Sequence, residues 1–234
     1  MMRFPGPLKN LFGGSSEPAG PNRPGATPLN SARSSGRGAE DTISTRQSRG
    51  LEEFFTYIRD QSGLTILDLG GATQQNVSFI TNLGHRLYSE DFLQILNETF
   101  GKDGAAEQSN PGQIDYFLRQ AFEYPEGHFD GVLIWDVLEY LQPALLTAVV
   151  ERLHTIVRPR SYMLAFFHSD DKVDAAPYYS FRIQEINTLQ VAQHGMRRPA
   201  QLFNNRSLEK LFGRYESVKF FLTRERLREV IIKV

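Results

Sequence analysis

Residues able to do chemistry gather at four places in this 234-residue chain. The first is Asp68-Leu69-Gly70-Gly71-Ala72-Thr73-Gln74, an acid and paired glycines directly after a short apolar run. In open α/β sheets such a turn lets backbone approach a ligand, and an acidic residue about 20 positions later takes ribose hydroxyls. Glu90, with Asp91 close behind, stands at that distance. A carboxylate suits the task because it accepts hydrogen bonds from both vicinal hydroxyls. The third place is Trp135-Asp136, after the clearest apolar run. Asp136 is placed either to face a ligand or to cap the following turn. Trp135, the sole tryptophan, is read either as packing or as a ligand contact. The fourth is His168, a candidate general base for substrate deprotonation, followed by Ser169-Asp170-Asp171. His168 with Asp170, Asp171 and Asp174 lacks any recognised metal-ligand spacing, so no metal is expected.

These residues need strand ends to hold them, and the hydrophobic pattern supplies strands. Leu51, Phe54, Phe55 and Ile58 recur at helical spacing and Gly63 stops them. Thr65 to Leu69 reads as a buried strand, Gln75 to Leu83 as a helix with Val77, Phe79, Ile80 and Leu83 inward, and Arg86 to Ser89 as a second strand. A helix follows from Phe92 to Phe100, then a polar loop, then Ile114 to Phe122, which fits either period and is read as helix. Phe129 to Trp135 is expected at the sheet centre, followed by an amphipathic helix from Pro143 and a strand from Tyr162 to Phe167. Tyr178 to Gln193 provides one or two extra strands, and Ser207 to Phe212 a short helix. Val218 to Leu222 and Leu227 to Val234 are joined by too few residues for a parallel crossover, so they pair antiparallel. The expected fold is a Rossmann-like α/β three-layer sandwich, its sheet mostly parallel with an antiparallel C-terminal edge pair.

Residues 1–47, rich in Gly, Pro, Ser and Arg, are expected to form a disordered tail, and 48–234 the folded domain. A net charge of -1 gives no reason to expect a polyanionic partner, and the tail lacks the aromatic interleaving or dense basic run of a nucleic-acid or membrane tether. The absence of cysteine excludes disulfides, thiolate zinc sites and cysteine nucleophiles. No apolar run suits a signal peptide or a membrane span, so a cytoplasmic location is expected. A Ser/His/Asp set and a phosphate loop with Gly-Lys-Ser/Thr are both missing from the pattern.

From Leu51 to Val234 the chain resembles the class I S-adenosylmethionine-dependent methyltransferases. Ile66-Leu67-Asp68-Leu69-Gly70-Gly71 is similar to the family's first motif, Phe129 to Leu141 to its central strand and following loop, and Leu153 to Phe166 to its helix, proline turn and fifth strand. The resemblance implies S-adenosylmethionine as cofactor, with Asp68, Gly70, Gly71 and Ala72 along its methionine end, Glu90 and Asp91 at its ribose and Trp135 beside it. It also implies in-line methyl transfer to an unidentified acceptor, with His168 or Asp136 as the base. Departures are equally plain. The family's Asp-x-Gly-x-Gly-x-Gly stands here as Asp68-x-Gly70-x-Ala72-x-Gln74, no aspartate follows the third-strand region at Leu118 to Pro125, and Arg160-Ser161 replaces common glycines. Two other readings follow: a methyltransferase-like protein that works by binding a partner, motivated by the altered turn, and a nicotinamide-dependent oxidoreductase, which leaves the C-terminal antiparallel pair unexplained.

Overall fold

The computed structural model describes residues 42–102, 106–169, 174–223 and 227–234. Nine strands and six α-helices make up the described chain. They run β1 (Thr42–Gln47), α1 (Arg49–Ile58), β2 (Thr65–Asp68), α2 (Gln74–Asn82), β3 (Arg86–Ser89), α3 (Phe92–Phe100) and α4 (Pro111–Phe122). Then come β4 (Phe129–Trp135), α5 (Pro143–Ile156), β5 (Val157–His168), β6 (Ala176–Glu185), β7 (Thr188–Arg197), α6 (Asn205–Leu211), β8 (Ser217–Leu222) and β9 (Leu227–Lys233).

Helix starts follow local chemistry. Ser48 accepts from the Leu51 amide at 3.1 Å to cap α1, Thr73 caps α2, Asp91 caps α3, and Asn110 with Pro111 opens α4. The ambiguous segment at Ile114 is thus helix, and among the described residues no strand forms between α3 and β4. Phe122 lies in the core and Gln120 is exposed on α4, so the region without the aspartate is a helix end.

The main sheet has the order β3-β2-β4-β5-β9-β8. The first four strands are parallel, while β9 runs antiparallel to β5 and β8 antiparallel to β9. This is the expected mixed sheet with β4 inside it. Alternation along β4 sends Val132 and Ile134 to the face covered by α3, α4 and α5, and Leu133 and Trp135 to the face covered by α1 and α2. On that second face Asn76, not Val77, takes a fully inward position on α2.

A correction comes at the amino end. Residues 42–47, assigned to the tail, form β1, which pairs antiparallel with β7 over all six positions. With β6 they build a separate sheet, β1-β7-β6, whose Phe181, Ile183, Leu189 and Val191 pack into the core over α1 and α2. The rest of the expected tail, residues 1–41, lies outside the described residues. Among the described residues no helix is long and apolar enough to cross a membrane.

Arg160, one of the positions where glycine was expected, has φ +68. A side chain there costs about 1 to 2 kcal/mol, set against the greater unfolded freedom of glycine. Arg160→Gly is therefore expected to stabilise the protein by about 1 kcal/mol, read as a higher urea midpoint; a lower midpoint would show that the arginine compensates its own strain.

Candidate functional site

Parallel strands end together, so Asp68 of β2, Trp135 of β4 and His168 of β5 meet at one edge of the sheet, beneath β6. Asp68 is fully buried, and its two oxygens are engaged by three donors. The Trp135 indole N–H donates to Oδ1 at 2.6 Å, the Gly70 amide to Oδ1 at 2.9 Å and the Asn76 side-chain amide to Oδ2 at 2.9 Å. Burial pushes its pKa up while those donors pull it down, with a net rise.

Trp135 gets there through a left-handed backbone, φ +59, rare for a bulky residue. Its ring lies so close to Gly70 that a Cβ on that glycine would stand 2.7 Å from Trp135 Cδ1. On its other side the indole stacks on Phe181 of β6, centroids 5.0 Å apart at 9°. Trp135, offered as a ligand contact, is therefore a buried packing residue. Ala72 and Gln74, the substituted glycine positions, are both exposed and fill nothing.

The rest of the turn is occupied by its own chain. Gly71, at φ +82, donates its amide to the Glu90 carbonyl at 3.0 Å. Glu90, half-buried at the end of β3 as expected, accepts from the Tyr124 hydroxyl. Asp91 is exposed and caps α3 by accepting from Gln94 N at 2.9 Å. Between Gly70, Asp91, Trp135, Asp136, Tyr179 and Phe181 there remains a cavity of about 40 Å³.

Strand β6 is fastened over this edge. Its Pro177 carbonyl accepts from His168 Nε2 at 3.0 Å, and its Tyr179 amide donates to Asp136. Further along, the Phe181 carbonyl accepts from Asn76 Nδ2 at 3.2 Å, and the Ile183 amide donates to Asn76 Oδ1 at 2.8 Å. The edge of β6 that faces away from β7 is thus satisfied by side chains from α2, β5 and the turn after β4.

His168 is the clearest correction. It is buried, its backbone N–H donates to Glu139 Oε1 at 2.9 Å, and its Nδ1 lies 2.5 Å from Glu139 Oε2. A carbonyl only accepts, so Nε2 carries a proton toward Pro177, while Nδ1 shares its hydrogen bond with Glu139. Burial lowers the ring's pKa, but the Glu139 bond and charge outweigh it and the net shift is upward. With Nδ1 taken by Glu139 and Nε2 by the Pro177 carbonyl, neither ring nitrogen is free to serve as a general base. Glu139, the residue that fixes it, carried no local signal in the sequence: it sits 29 residues away in a buried 3₁₀ turn, Val137–Tyr140.

Asp136 is 2% exposed, and its Oδ2 has no hydrogen-bond partner. Burial raises its pKa to about 7 against the opposing charge of His168. Among the described residues no group of three acidic or histidine side chains could hold a metal. Asp170 and Asp171 lie outside them.

The methyltransferase domain family model matches residues 41–216, most of the chain. The chain belongs to this family. Among solved structures it is similar to an S-adenosylmethionine-dependent methyltransferase from Archaeoglobus fulgidus, at 15% identity over 79% of this chain and 92% of that one, with a TM-score of 0.46. It is also similar to the 1,6-didemethyltoxoflavin-N1-methyltransferase of Burkholderia thailandensis, at 14% identity over 79% and 76%, with a TM-score of 0.43. No curated protein matches it.

Membership in the methyltransferase domain family supports methyl transfer and S-adenosylmethionine in general terms. The residues at this domain's turn do not fit that cofactor. Small-molecule sites typically offer about 300 to 1,000 Å³, whereas the cavity of about 40 Å³ admits a few water molecules. The approach to Gly70 is taken by the indole, and Asp68 is committed to internal donors.

Proposed function

We propose that this methyltransferase domain works as a non-catalytic binding module in which the family's cofactor crevice has become a structural joint. The observation that carries this reading is Trp135, whose indole N–H is bonded to Asp68 while its ring lies between Gly70 and Phe181. Opening a path to the turn requires breaking that bond, unstacking Phe181 and releasing the four fastenings of β6. Each buried hydrogen bond left unmade costs about 1 to 3 kcal/mol. A cofactor would have to repay several such losses before binding with any net affinity.

A second reading, S-adenosylmethionine-dependent methyl transfer to an unidentified acceptor, is favoured by Glu90 at the end of β3 and by Gly71 in the left-handed region. Calorimetric titration with S-adenosylmethionine, S-adenosylhomocysteine and NAD separates the readings. The binding-module reading expects no heat from any of the three. Saturable binding of the adenosyl ligands, weakened in Glu90→Ala, would overturn the structural joint, and methyl transfer to candidate acceptors then decides whether the domain is an enzyme; binding of NAD alone would favour an oxidoreductase.

A further inference from the structure

Away from the closed crevice the domain keeps an open cleft, between α5 and α6. Leu208 of α6 and Phe212 at its end go into the core, while Leu211 stays half-buried beside α5. Thr147 of α5 and Ser207 of α6 are small residues lining the gap, and a cleft of about 430 Å³ remains. That volume falls within the roughly 300 to 1,000 Å³ typical of small-molecule sites, whereas the crevice cavity holds about 40 Å³. A second hollow adjoins the cleft, sharing Val150, Glu151, Leu211 and Arg214 with it and reaching His154. Together the two follow α5 from Pro143 to His154, about 17 Å at the rise of a helix.

The lining says what kind of molecule fits. Leu146 and Val150 of α5, with Phe203 and Leu211, give the cleft an apolar floor. Toward the start of α5 the walls carry no charge, with Pro143 and Gln201 there. Where the second hollow joins, the wall is charged: Lys210 and Arg214 stand against one acid, Glu151. Lys210 is exposed and has no ion-pair partner among the described residues. Arg214 lies 3.3 Å from Glu151 with both side chains largely in solvent, and an exposed pair of this kind contributes little, so it is readily given up to a ligand. An apolar trough with excess positive charge at one end is complementary to a slender apolar chain with an anionic head. A carboxylate suits the head because it accepts charge-assisted hydrogen bonds from both cations at once.

We propose that the α5–α6 cleft binds a single-chain fatty carboxylate, its chain on the floor toward Pro143 and its head at Lys210 and Arg214. No residue lines both this cleft and the crevice, so the proposal is independent of how the crevice is read. Calorimetric titration of the full chain with sodium dodecanoate, below its micelle concentration, tests it, with one saturable site expected. Octanoate should bind about tenfold more weakly or worse, since it leaves part of the floor unfilled, and dodecyltrimethylammonium should not saturate. Lys210→Glu/Arg214→Glu is expected to weaken dodecanoate by at least about tenfold, and Thr147→Trp, which fills the cleft from an exposed position, to abolish binding. Thermal melts show that each variant is folded, and either variant alone decides the matter if the other is not. A chain that takes up no dodecanoate, binds the ammonium as well, or keeps its affinity in a folded variant overturns the proposal. Association with vesicles of anionic phospholipid without binding of monomeric dodecanoate overturns it in favour of a membrane surface.

Discussion

Asp68→Ala is expected to cost about 4 kcal/mol of stability. The substitution leaves the Trp135 indole N–H and the Gly70 amide with no acceptor and takes one of two acceptors from the Asn76 amide. Buried donors stranded in this way cost about 1 to 3 kcal/mol each. Trp135→Phe keeps most of the ring against Phe181 and removes only the donor, so about 2 kcal/mol is expected from it. Because the two residues share one bond, the double variant should lose less than the sum, with a coupling of about 1 to 2 kcal/mol. Urea denaturation followed by circular dichroism measures all three. A loss below about 1 kcal/mol for Asp68→Ala would sink the idea of a structural joint, because a carboxylate held for a ligand is dispensable to the fold.

The same residues show what the sequence could and could not say. The strand order was readable because buried parallel strands are short apolar runs between glycine turns and amphipathic helices, and the terminal hairpin because its connection is too short to cross over. Glu90 at a strand end was readable for the same reason. Strand β1 was not, since five of its six residues are exposed and its partner β7 lies more than 140 positions later. The altered glycine turn did announce that something differs at the crevice, but Ala72 and Gln74 are exposed and do not close it. What fills the space is a tryptophan from another strand, aimed by a positive φ that no periodicity encodes. His168 misled similarly: a histidine at a strand end reads as an accessible base until Glu139 and the Pro177 carbonyl are brought to it by tertiary folding.

Asp136→Asn should make the protein more stable at pH 8 and flatten its dependence on pH. Burial places the Asp136 pKa at about 7 in the folded state, against about 3.9 in an unfolded chain. A carboxyl raised in this way favours the fold most below its unfolded value, and the advantage is lost as pH rises through the folded value. His168, shifted upward by Glu139, acts in the same direction, since its contribution is lost as pH rises through its own raised pKa. Wild-type stability is therefore expected to fall between about pH 4 and pH 8, at up to about 1.4 kcal/mol per unit for each group titrating. Asparagine has the same shape and no charge to desolvate. Its amide nitrogen would sit where Oδ2 now lacks a partner, which costs about 1 to 2 kcal/mol and offsets part of the gain. The net expectation is about 2 kcal/mol in favour of the variant at pH 8, vanishing or reversed by pH 4. Denaturation midpoints across that range decide the matter. Parallel curves for the two proteins would mean that Asp136 stays ionised beneath β6, held by a donor such as a buried water, and that the loss of stability with rising pH belongs to His168 alone.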